Sequence, residues 1–136
     1  AYDPLLKSHE CVDLVSLDAL FSQADYISLH VPLTDSTRGM INADTIAQMK
    51  DGVTIINTAR GGCVNEPDLV AALRSGKVRA YATDVFMSDP PDAACQLYDA
   101  PNAIMTPHLG ASTRENMLRI GDVVVRILED FQQHTA

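Results

Sequence analysis

Positive charge is scarce in this sequence. Ten Lys and Arg are set against 18 Asp and Glu, for a net charge of −8, and the ten are scattered from Lys7 to Arg126. With no basic stripe to follow a phosphate backbone, nucleic acid is excluded as an expected partner. Also lacking is any apolar run near the ~20 residues that cross a bilayer, and the first residues do not follow the basic-then-apolar plan of a secretory signal. No membrane partner is expected, and the expected location is cytoplasmic. Cysteine is sparse too. Cys11, Cys63 and Cys95 form no CxxC and stand far apart, which argues against a local metal site and for three reduced, packed or surface thiols.

What is present is a chain of 136 residues, 46% of them hydrophobic, enough for one domain-sized core. Four short stretches rich in β-formers read as strands: Asp25 to Val31, closed by Pro32, then Val53 to Asn57, Arg79 to Asp84 and Asn102 to Thr106. Each is too apolar for a sheet with a wet face. Helical patterns lie between them. Ser16 caps a helix with Leu17, Leu20, Phe21 and Ala24 on one face; Asn42 caps a second, stopped by Gly52; Asn65 caps a third, with Pro67 in its first turn and Gly76 as its stop. Ser112-Thr113-Arg114-Glu115 fits a capping box for a last helix, apolar from Met117 to Phe131 and expected to be buried on a partner domain or subunit. Alternating strands and helices imply an α/β fold with right-handed crossovers and a parallel sheet covered on both faces.

In such a sheet ligands bind beyond the carboxyl ends of the strands, and here those exits are polar. Arg60 precedes Gly61-Gly62, a turn that lets backbone approach a ligand, and a guanidinium there suits a carboxylate. His108, between Pro107 and Gly110, can exchange a proton near neutral pH, as interconversion of an alcohol and a ketone requires. Alone, each reads more readily as an incidental loop residue; two on strand exits at the same end of the sheet are a rarer coincidence. Asp89 is the candidate carboxylate to fix the His108 tautomer and favour its imidazolium. Asp84 ends its strand where an amide or a cationic nicotinamide ring is met, or else serves as a turn residue. Asp3 could accept from ribose hydroxyls if it follows a strand.

Five ordered motifs then resemble the D-2-hydroxyacid dehydrogenase family, and within it the phosphoglycerate dehydrogenase branch most closely. They are Tyr2-Asp3-Pro4, His30-Val31-Pro32-Leu33-Thr34, Asn57-Thr58-Ala59-Arg60-Gly61-Gly62, Asp84-Val85-Phe86 through Asp89-Pro90, and Pro107-His108-Leu109-Gly110-Ala111-Ser112-Thr113. The resemblance implies a Rossmann-type, doubly wound parallel sheet binding NAD. It implies that Arg60 holds the substrate carboxylate and carbonyl, that His108 is the acid/base, and that Asp89 pairs with it. It further implies Asp3 on the adenosine ribose, favouring NAD over NADP. Val31, Pro32, Thr58, Ala59, Arg60, Asp84, His108, Leu109, Gly110 and Ala111 would lie along the rest of the cofactor. The implied reaction is hydride transfer on a small 2-hydroxy or 2-keto acid, with 3-phosphoglycerate and 3-phosphohydroxypyruvate of serine biosynthesis as the first candidates. Glyoxylate or hydroxypyruvate reduction, or an NAD-sensing role like that of the similar C-terminal binding protein corepressors, are the alternatives. A homodimer or homotetramer is implied as well.

Two features depart from the family pattern. Where the family has Glu this chain has Asp89, whose shorter side chain is expected to fall short of His108 or to reach it through water. No GxGxxG occurs in these residues, so the sheet is expected to be incomplete, without its first strand and glycine-rich loop. Residues 1–111 are then the later part of an NAD-binding domain, entered at the end of its second strand, and 112–136 a long helix leading toward a substrate domain outside this chain. The 136 residues alone are expected to bind NAD poorly and show no turnover.

Overall fold

A computed structural model describes residues 1–135. Four parallel strands, β1 (Tyr26–Leu29), β2 (Val53–Asn57), β3 (Val78–Thr83) and β4 (Ala103–Met105), lie side by side in sequence order. Between and around them run α1 (Leu17–Gln23), α2 (Ala43–Gln48), α3 (Glu66–Ser75) and α4 (Arg114–Thr135), with short 3-10 turns at Gly61–Cys63 and Gln96–Asp99. The α/β class and parallel sheet are as expected.

The helix starts follow from side-chain caps. Ser16 Oγ accepts the Ala19 amide, and Asn65 Oδ1 accepts the Asp68 amide. Asn42 forms a capping box with Thr45, and Gly76 ends α3 in the left-handed conformation that glycine adopts without strain. α4 differs by one residue from its expected start. Thr113, not Ser112, provides the cap, its hydroxyl accepting the Asn116 amide at 3.2 Å.

Burial alternates along the strands. Ile27 and Leu29, Val53, Ile55 and Asn57, and Val78, Tyr81 and Thr83 are buried, while their neighbours are not. The buried set packs with Phe21, Ile46, Leu69, Val70 and Leu73 of the helices in one core. Residues as enclosed as Val53, Ile55 and Leu69, each 0% exposed, contribute roughly 1.5–3 kcal/mol apiece. The expectation that both faces are covered is corrected: among the described residues the helices cover one. Strands added in sequence order by right-handed crossovers all send their helices to the same side. On the other side Tyr26 and Ile104 stay 65% and 66% exposed.

The final helix is equally open in this chain. Its apolar stripe, Met117, Ile120, Val124, Ile127, Leu128 and Phe131, is 44–67% exposed. Among the described residues no helix is long and apolar enough to cross a membrane. The segment expected over 112–136 is thus helical over Arg114–Thr135, and residue 136 lies outside the described residues.

Candidate functional site at the carboxyl edge of the sheet

Four parallel strands present their carboxyl ends along one edge, and the chain leaving each carries the polar residues singled out above. β2 runs into Arg60, β3 into Asp84 and the loop bearing Asp89, and β4 into His108.

His108 and Asp89 come together directly. Nδ1 lies 2.8 Å from Asp89 Oδ2, with both side chains accessible to solvent. The expectation that the shorter aspartate would fall short or need a bridging water is therefore corrected, because the loop brings Asp89 within direct reach. An ionised carboxylate only accepts hydrogen bonds, so Nδ1 carries the proton and Nε2 is left as the free basic position.

The backbone under His108 is unusual. Its φ of 54° is left-handed, a region that costs a non-glycine residue about 1 kcal/mol or more unless its surroundings enforce it. Asp84 supplies that enforcement. Oδ1 accepts from the Thr106 hydroxyl at 2.6 Å and the Leu109 amide at 2.8 Å, and Oδ2 accepts from the Gly110 amide at 2.7 Å. A fourth contact, from the His108 amide to the Thr106 carbonyl at 3.0 Å, closes the turn. Partial burial pushes the Asp84 carboxyl up, but the Thr106 hydroxyl, the Gly110 and Leu109 amides and the adjacent His108 outweigh it and hold the group below the ordinary aspartate range. The approach is close at Gly110, where a Cβ would stand 3.0 Å from Oδ2 and the carboxylate would have to give by a few tenths of an ångström.

Arg60 is exposed on the turn after β2, its Nη1 donating to the Ala59 carbonyl at 2.6 Å. The following Gly61 packs so closely that an added Cβ would overlap the backbone of Phe86 and Met87. The turn carrying Arg60 thus rests on the loop leading to Asp89. Thr83 ties the same two exits: its hydroxyl donates toward the Asn57 carbonyl at 3.1 Å and accepts from the Val85 amide at 3.1 Å.

The remaining candidates divide. Thr58, Leu109, Gly110 and Ala111 are exposed along the edge, Val31 is half-buried against the core, and Ala59 is buried. The Pro32 carbonyl accepts from Thr37 Oγ1. Asp3 lies in an exposed stretch, residues 1–16, that forms no strand; its Oδ1 accepts from the Leu5 and Leu6 amides. Thr83, Thr106 and Asn116, which donates to the Ala111 carbonyl at 2.9 Å, were not singled out in the sequence. Thr83 carried a readable signal, a polar residue at an inward-facing position of an apolar strand. Among the described residues no group of three His, Cys, Asp or Glu could hold a metal ion.

Comparison with known proteins bears on this geometry. Residues 1–110 match the family model described as D-isomer specific 2-hydroxyacid dehydrogenase, NAD binding domain. A hydroxypyruvate reductase from Thermotoga maritima is 48% identical over 134 residues, 96% of this chain and 44% of the relative. A D-3-phosphoglycerate dehydrogenase from Archaeoglobus fulgidus is 41% identical over 128 residues, 91% of this chain and 24% of the relative. Among solved structures, an NAD-dependent formate dehydrogenase from Staphylococcus aureus in complex with NAD superposes with a TM-score of 0.88 at 39% identity, covering 98% of this chain and 40% of that one. The chain therefore spans less than half the length of each.

Proposed function

The chain belongs to the D-isomer specific 2-hydroxyacid dehydrogenase family through its NAD-binding domain, and from that premise we propose that the protein is an NAD-dependent oxidoreductase interconverting a 2-hydroxy acid and its 2-keto acid at the carboxyl edge of this sheet. The observation that carries this reading is the His108–Asp89 pair at 2.8 Å.

The chain's residues divide the work by their chemistry. Arg60 grips the substrate carboxylate through paired hydrogen bonds and directs the C2 oxygen toward His108. During oxidation His108 Nε2 takes the hydroxyl proton as the C2 hydride departs, and the Asp89 carboxylate stabilises the imidazolium that forms. In reduction the same proton returns to the carbonyl oxygen. Thr58, Leu109, Gly110 and Ala111 on the exposed edge would hold NAD, which would supply the hydride acceptor. These residues fit such a group because they offer backbone, the small side chains of Thr58 and Ala111, and the exposed apolar surface of Leu109 on an open edge. Asp3 is proposed to meet the ribose hydroxyls.

The same pair argues against formate as substrate. Oxidising formate to carbon dioxide removes a hydride but no hydroxyl proton, so a carboxylate-supported base has no task there. The substrate we propose is a three-carbon 2-keto acid with oxygen at C3, either hydroxypyruvate or its 3-phosphate. Relatives named for both chemistries match most of this chain. The test is oxidation of NADH by the full-length protein with hydroxypyruvate, 3-phosphohydroxypyruvate and pyruvate, beside NAD reduction with formate. Turnover of a 2-keto acid and none of formate is expected, and the better of the first two substrates identifies the branch. Turnover of formate alone would overturn the reading.

A further inference from the structure

Asn57 closes β2 on the helix-covered face, at the position where the alternation of Val53 and Ile55 calls for another apolar side chain, and it is 0% exposed. A carboxamide is costly there unless every polar atom is partnered. All are. Nδ2 donates to the Arg60 carbonyl at 3.0 Å and to the Tyr81 hydroxyl at 3.2 Å, and Oδ1 accepts the Ala59 amide at 3.0 Å. Two of these bonds grip the turn just before and at Arg60. The third braces the carboxamide on Tyr81, itself 2% exposed in the middle of β3.

Among the described residues the Arg60 carbonyl otherwise accepts from the Cys63 amide at 3.1 Å, on the far side of the glycine pair. The Asn57 carbonyl also receives the Asp84 amide and the Thr83 hydroxyl, each at 3.1 Å. One buried residue therefore ties the Arg60 turn to the exit that leads to Asp89. Aspartate could accept from Ala59 but could not donate to Arg60 or Tyr81, and serine is too short to reach all three partners. Being fully enclosed, Asn57 touches neither substrate nor cofactor, so any effect on chemistry passes through the Arg60 backbone.

We propose that Asn57 is a positioning residue: its carboxamide, braced on Tyr81, fixes the backbone from which Arg60 reaches the substrate carboxylate. The inference rests on the reading of Arg60 as the carboxylate-binding group.

A double-mutant cycle in the full-length protein tests it. Asn57→Ala is expected to lower kcat/KM for the 2-keto acid about tenfold, mostly through KM, with the Kd for NADH, which this turn meets through Thr58, rising by less than about twofold. In an Arg60→Lys background the same change should cost less than about twofold, because the group it positions is already lost. Tyr81→Phe keeps the core packing and should act in the same direction by about threefold, so it can replace Asn57→Ala in the cycle should that variant fail to fold. Equal losses in both backgrounds, or a parallel loss of NADH binding, would overturn the inference. Amide hydrogen exchange gives a readout independent of turnover. Ala59 and Cys63 should exchange faster in either variant, while amides within α3 should not. Should the native protein turn over no 2-keto acid, the catalytic reading fails, yet unchanged exchange at Ala59 would still overturn the role of Asn57 and faster exchange would still support it.

Discussion

At the amino edge of the sheet Lys50 meets Asp25 at 3.0 Å and Lys77 meets Asp51 at 2.7 Å, while Arg79 spans Tyr26 and Thr54. At the carboxyl edge the polar contacts are of another kind: Asn57, Thr83 and Asp84 bond mainly to backbone, and Asp84 holds the turn in which His108 is left-handed. Both edges are rich in hydrogen bonds, but most at the first join exposed side chains and those at the second join loops to one another. At the amino edge the Lys50–Asp25 pair stands in water and is screened by it, while Lys77, 25% exposed, also donates to the Met49 carbonyl at 2.6 Å. Contacts at the carboxyl edge share partners, so disturbing one displaces the next. Positioned chemistry needs the second arrangement, and the largest responses to substitution should lie there.

The greatest loss is expected from His108→Asn. Asparagine tolerates the left-handed backbone, so the fold should keep its melting temperature while kcat in the full-length protein falls by about 10²–10⁴. Retained turnover would remove the functional distinction between the edges. Gly61→Ala comes next, because its Cβ would overlap the Phe86 backbone. Two backbone segments cannot yield as side-chain tips do, so a destabilisation of about 2–3 kcal/mol is expected in urea denaturation. Activity should fall with it, since the Arg60 turn and the Asp89 loop are forced apart.

Much of the scaffold was readable in advance, and the exceptions have local causes. The β-branched run of Val53–Asn57 forms the strand it suggests. The first strand ends at Leu29, short of the expected Val31, because its neighbour β2 runs out at Asn57, the partner of Leu29. β4 is trimmed to Ala103–Met105 as an edge strand paired on one side only. Arg60, Asp89 and His108 could be found as polar residues at strand exits. The cross-bracing by Thr83 and Thr106 could not, since it depends on which loops meet beyond the sheet. The reach of Asp89 is likewise decided by the course of its loop, which side-chain length does not encode. One-sided covering of the sheet followed from strand order, which periodicity within a strand does not encode.

A smaller and pH-dependent effect should separate Asp84→Asn from the native protein. The amide group must oppose at least one of the donors from Thr106, Leu109 and Gly110, weakening the turn by about 1 kcal/mol. Because the folded-state pKa of Asp84 lies below that of an ordinary aspartate, its contribution is fully present above the unfolded pKa and is lost as the pH falls through the folded one. The stability gap between the two proteins, followed by thermal melting, should be constant near neutrality and close only in acid below about pH 4. A gap that closes near pH 6 would instead point to a histidine as the titrating group.

The least effect is expected at the amino edge. Lys50→Ala removes a pair in which the lysine is 44% and the aspartate 72% exposed. Water already solvates both charges, and holding two mobile side chains together costs entropy comparable to the Coulombic gain. The stability change should therefore stay under about 1 kcal/mol and shrink further in salt, as double-mutant cycles on exposed pairs lead one to expect. Substrate KM and NADH affinity should be unchanged. A clear loss of activity from Lys50→Ala would mean that strain travels the length of β2 from one edge to the other, and that the carboxyl edge does not owe its geometry to its own contacts alone.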